Sequence, residues 1–113
     1  MRILCLSNMY PGPRDPDFGA FVKDMADELE ARGHHVERVA ITGRGGGRLR
    51  TPGKYLGLTA RALAAARRCD VVYAHYLFPT GAIAAAAART AGVPWVVTAH
   101  GQDVANLAHP GLL

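Results

Sequence analysis

Six residues of this chain are suited to holding a polar ligand: Asn8, Tyr10, Gly19, His75, His100 and Asp103. Five of them stand at the ends of short apolar runs. Asn8 and Tyr10 follow residues 3–7, His75 follows 71–74, and His100 and Asp103 follow 95–99. An imidazole at such a point can donate or accept a hydrogen bond. Gly19 opens an amphipathic stretch, where free N–H groups and the positive helix end suit a phosphate and the missing side chain permits close approach. Plainer readings stand beside these: a structural histidine at His100, and a glycine demanded by helix–sheet packing at Gly19. His75 has the placement of His100 with weaker surroundings. His34 and His35 follow a helix stop and read as solvent-exposed, and His109 lies in an unpatterned tail.

Other chemistries find little support. No G-x-G-x-x-G follows the first apolar run and no Walker A sequence occurs, so nicotinamide binding and ATP hydrolysis lose their usual signals. Asp15-Pro16-Asp17 has the D-x-D spacing of a metal–diphosphate site, but aspartates beside proline read as turn and capping residues. Glycoside hydrolysis needs two placed carboxylates. Apart from Asp15 and Asp17, the loops offer only Asp103. No serine occupies a G-x-S-x-G elbow. Cys5 and Cys69 show no CxxC spacing, which argues against a zinc site or disulfide framework and for a reducing compartment.

Residues 3–7 read as a buried strand. From Phe18 the series Phe18, Phe21, Val22, Met25, Ala26 and Leu29 has the spacing of an amphipathic helix. Asp17 is its expected N-cap, Glu28 and Arg32 its surface pair, and Gly33 its stop. Residues 36–41 read as a second strand, and 42–50, with four glycines and three arginines, as a loop. Thr51-Pro52 has the form of an N-cap and first-turn proline, placing the start of a second helix there. Residues 71–74 form a third strand, Thr80 caps a third, alanine-rich helix ending at Gly92, and 94–98 form a fourth strand.

This alternation implies an α/β domain: a Rossmann-like open parallel sheet with helices on both faces and strand order 2-1-3-4. Ligands of such sheets bind beyond the carboxyl ends of the strands, where the order reverses. The loops after strands one, three and four would therefore share one rim. At 113 residues the chain is one domain at most, and an apolar half argues against disorder. Thirteen cations, eleven of them arginine, against nine acids give a net charge of +4, compatible with anionic partners. Arg44, Arg48, Arg50 and Lys54 could meet a membrane surface or an anionic acceptor, although a solvated loop is the simpler reading. The first apolar stretch is too short for a secretory signal, and no run approaches a membrane span of about 20 residues. A cytoplasmic location is expected, with the inner membrane face as a peripheral site.

Several segments together resemble family-four glycosyltransferases. They are Tyr10-Pro11 after the first strand, Gly19-Ala20-Phe21-Val22 opening a helix, and Leu29-Glu30-Ala31-Arg32-Gly33-His34-His35-Val36 closing it. Asp70-Val71-Val72-Tyr73-Ala74-His75 and Val97-Thr98-Ala99-His100-Gly101-Gln102-Asp103 complete the set. The resemblance covers nearly all of residues 1–105. It implies the N-terminal, acceptor-side half of a GT-B fold in a retaining, metal-independent transferase. Such an enzyme moves a sugar from a nucleotide donor to a carbohydrate or lipid-linked acceptor, with no cofactor beyond the nucleotide sugar and no nucleic-acid partner. By the same resemblance Gly19 lies near the donor diphosphate and His100, the catalytic candidate, bonds the transferred sugar. Asn8, Tyr10 and His75 fall on the acceptor side, and Asp103 orders its loop or meets the acceptor. The family usually pairs two glycines at this helix start, whereas here Phe18 precedes Gly19.

The family's donor-binding half has no counterpart in these 113 residues, which form a single and incomplete domain on this reading. The fragment alone is expected to be inactive, because this fold stabilises its transition state with charge from two domains. Its fourth strand is expected to be an apolar edge open to self-pairing. Two rivals remain: a non-catalytic domain binding a nucleotide, an anion or a partner protein, and a sugar-nucleotide epimerase of the same fold. The epimerase would need crevice carboxylates placed for proton abstraction.

Overall fold

A computed structural model of the chain describes residues 1–42 and 47–99, with the backbone alone for 47–50. The elements run β1 (Arg2–Ser7), α1 (Ala20–Ala31), β2 (His35–Ala40), α2 (Gly47–Ala66), β3 (Val71–His75), α3 (Thr80–Ala91) and β4 (Trp95–Thr98). The four strands form one sheet in the order β2-β1-β3-β4. Every neighbouring pair is parallel. The expected Rossmann-like α/β order and topology are therefore the observed ones.

The central strands β1 and β3 are largely apolar because helices cover both sheet faces there. On one face Leu4, Leu6, Val39, Val72 and Ala74 pack beneath α2 and α3, whose contact surfaces are Leu58, Ala62, Ala65 and Ala66 against Ala84, Ala87 and Ala88. These alanines are almost wholly buried. Their small side chains let both helices lie close to the sheet and to each other. On the other face Cys5 and Val36 pack with Val22 and Ala26 of α1. Only part of the predicted apolar stripe of α1 is buried, since Phe21 and Met25 are 42% and 41% exposed.

Three local expectations need correction. The cap residue of α1 is Gly19, in left-handed conformation and without a side-chain cap bond, rather than Asp17. Asp17 contributes its carbonyl instead, 3.3 Å from the Ala20 amide. Helix α2 begins at Gly47, and Pro52 lies inside it rather than in its first turn. A proline near an exposed helix start removes one ladder bond, while residues 58–66 still bury the face that anchors the helix. Thr80 is the first residue of α3, and the cap position belongs to Pro79. The closing signals hold: Glu28 pairs with Arg32 at 3.1 Å, and Gly33 and Gly92 take positive φ. His35 is exposed as expected, but His34 is half-buried.

Candidate functional site

Since β1 turns toward β2 on one side and β3 toward β4 on the other, the chain's switch point falls between β1 and β3. Their carboxyl ends are neighbours: Leu6 pairs with Ala74, and His75 with Thr98 of β4. Ser7 ends β1 fully buried, and its Oγ accepts the Met9 amide at 3.0 Å. This turns the chain sharply and leaves Asn8 on the α2 side. The Asn8 Nδ2 donates to the Tyr55 hydroxyl at 3.2 Å. Its Oδ1 is buried without a hydrogen-bond partner among the described residues.

His75 is 1% exposed at the end of β3. Its ring stacks on Tyr73 at 4.8 Å and takes the edge of Phe21 at 6.3 Å. Tyr73 in turn shares a 2.7 Å hydrogen bond with Thr98 Oγ1. Next to His75, Tyr76 holds φ at 77°, a left-handed conformation that costs a residue with a Cβ about 1–2 kcal/mol. Its amide bonds the Thr98 carbonyl at 2.9 Å, and its ring lies 6.5 Å from Phe21. Backbone held against its preference gathers at ligand sites. Phe21, two residues beyond Gly19, thus bridges the start of α1 to the loop after β3.

Gly19 is fully constrained. Its φ is +69°, and a Cβ there would stand 2.6–2.8 Å from the carbonyl and Cβ atoms of Met9. The space above Gly19 is filled by the turn after β1, so the glycine draws that turn and the helix start together. The amides around it are engaged: Phe18 bonds Asp15, Ala20 bonds Asp17, and Val22 and Lys23 bond Gly19.

Tyr10 takes another course. It packs on the smaller core with Leu29. Its hydroxyl lies against the Arg38 guanidinium, which Glu30 and Asp27 also hold at 2.6 and 2.9 Å. Contact with the Glu30 carboxylate, against the cost of burial, pushes the Arg38 pKa up. Tyr10 is thus a brace between the first turn and the α1–β2 layer.

Asn8, Gly19 and His75 thus stand near the carboxyl ends of β1 and β3 with Thr98, while Tyr10 packs against the α1–β2 layer. His100 and Asp103 lie outside the described residues. Among the described residues no group of three or more histidine, cysteine or acidic side chains could hold a metal ion. Sequence reasoning missed Phe21 and Tyr55, read as ordinary members of apolar helix faces, and Thr80, whose fully buried Oγ1 has no hydrogen-bond partner among the described residues. Thr80 was read only as a helix cap.

The family model for a glycosyl transferase 4-like domain matches residues 18–112. The chain belongs to this glycosyl transferase family. No curated protein matches it. In this glycosyltransferase domain Asn8, Gly19 and His75 stand near the sheet edge where the fold accepts ligands. No helix among the described residues is long and apolar enough to cross a membrane.

Proposed function

We propose that this glycosyltransferase domain is the acceptor-side half of a retaining GT-B enzyme. Joined to a C-terminal donor-binding half, it takes part in moving a sugar from a nucleotide donor to a carbohydrate or lipid-linked acceptor. What supports this reading most is that Asn8 and His75 follow the neighbouring strands β1 and β3 at the parallel-sheet switch point, with Phe21 of the Gly19 helix start against His75. The family resemblance assigns His100 to the transferred sugar and Asp103 to the acceptor side. Both follow closely in sequence on Thr98, the strand partner of His75. Gly19 acts on the diphosphate indirectly in this proposal, by seating the β1 turn against α1.

Isotope-edited NMR of the chain with nucleotide sugars and with carbohydrate acceptors tests the proposal. Acceptors are expected to shift the amides of residues 8–9 and 75–77. The 113-residue chain alone should show no sugar transfer, and a fusion to a donor-binding half of the same family should show it. Turnover by the isolated chain, or acceptor shifts confined to the opposite end of the sheet, would overturn the reading.

A further inference from the structure

A concavity opens at the end of β2, beside the turn that follows β1. Its volume is about 590 Å³, within the range of small-molecule sites. Residues 13–15 of the first turn, residues 40–42 at the end of β2, and Lys54 and Arg61 of α2 form its walls. Lys54 and Arg61 are seven residues apart, so both fall on one side of the helix. Arg61 is fixed in place, since its Nη2 donates to the Ala40 carbonyl at 2.7 Å. The wall carrying Arg14 is built tightly. Gly12 and Asp15 exchange backbone hydrogen bonds of 3.2 and 3.1 Å. A Cβ on Gly12 would stand 2.2 Å from the Thr42 carbonyl oxygen. That turn is therefore pressed directly onto the end of β2.

Two arginines of this cleft stand outside the ion pairs that hold several other cations of the chain. Lys23, Arg32, Arg38 and Arg68 each pair with a carboxylate. Arg14 and Arg61 pair with none among the described residues. Three cations line the cleft against one acid, Asp15. The surrounding sequence accentuates the excess, because residues 38–69 hold eight of the thirteen cations and none of the nine acids. Arginines with unused donors fit phosphate oxygens, to which they can bond in pairs.

We infer that this cleft binds a phosphate-bearing ligand through Arg14, Lys54 and Arg61. As the anionic part of the acceptor, that ligand deepens the transferase reading and rests on it. The binding chemistry itself rests on the cleft. The phosphate belongs to a soluble phosphate ester or to a phospholipid headgroup, and the two arms of one experiment separate them.

In the first arm the chain is titrated with inorganic phosphate and glucose 6-phosphate, and amide shifts are followed. In the second it is sedimented with phosphatidylcholine vesicles with and without phosphatidylglycerol. Saturable shifts clustered at residues 13–15 and 40–42 support a soluble ester. Binding only to the anionic vesicles supports a headgroup. In either case R14A and K54A should each weaken binding by about tenfold, while R67A, at the far end of α2, should leave it unchanged. Equal weakening by R67A, or no binding in either arm, overturns the inference. Cleft binding in a fusion that transfers no sugar would sink the transferase reading alone, and sugar transfer with no phosphate binding would sink this one.

Discussion

Met9 occupies the space that a side chain on Gly19 would need, approaching to within 2.6 Å of where its Cβ would be. Two parts of the chain ten residues apart are locked together there, and with them the turn carrying Asn8 and the helix turn carrying Phe21. Gly19→Ala would meet backbone rather than a flexible tip, and would hold alanine at a positive φ that alone costs about 1–2 kcal/mol. We expect a loss of roughly 2 kcal/mol or more in stability, read as a lowered urea midpoint. An unchanged midpoint would show that the turn can move aside freely.

The Tyr73 hydroxyl and Thr98 Oγ1 tie the ends of β3 and β4 beside His75. A double-mutant cycle with Tyr73→Phe and Thr98→Val should give a coupling of about 1 kcal/mol. Additive effects of the two changes would mean that the bond contributes nothing net.

Acid should loosen the α1–β2 layer. The Arg38 guanidinium holds the Glu30 carboxyl below its ordinary value of 4.5, and Lys23 followed by Arg38 holds Asp27 low. A carboxylate with a lowered folded pKa stabilises the protein above its unfolded pKa, and that contribution disappears as pH falls through the folded value. Both groups are exposed, so solvent and salt keep the effect small. Arg38→Met should therefore flatten the decline in stability below about pH 4.5, measured by denaturant titration across pH. An equally steep acid limb in the variant would assign the decline to other groups.

Both thiols should resist modification in the folded chain. Burial pushes Cys5 and Cys69 up to about 11, and the neighbouring Glu37 adds to the rise at Cys69. At pH 8 the thiolate fraction is then roughly one in a thousand. Iodoacetamide should label neither at an appreciable rate until urea is added, when both react together. Rapid labelling of Cys69 in the native state would show that the end of α2 opens locally.

The sheet was legible from residues alone, since short valine-rich runs alternating with helical periods leave few arrangements besides a parallel sheet. The placement of Asn8, Gly19 and His75 near one edge followed from that topology. Other features were hidden because they depend on distant partners. Thr51-Pro52 looked like a helix start, yet α2 begins earlier, because burial of Leu58, Ala62 and Ala65 outweighs one missing ladder bond. Tyr10 carried the look of a crevice residue, and its contact with Arg38, held in β2 by carboxylates from α1, was not visible in the sequence.

What the order of residue types determined by itself was the fold and the edge at which ligands gather, because hydrophobic period and chain connectivity are local and cumulative. Tertiary structure alone decided which glycines are irreplaceable and which cations meet. Gly12 faces Thr42, and Arg61 reaches Ala40 across twenty-one positions of sequence. Close approach between remote backbone segments leaves no mark in a one-dimensional pattern.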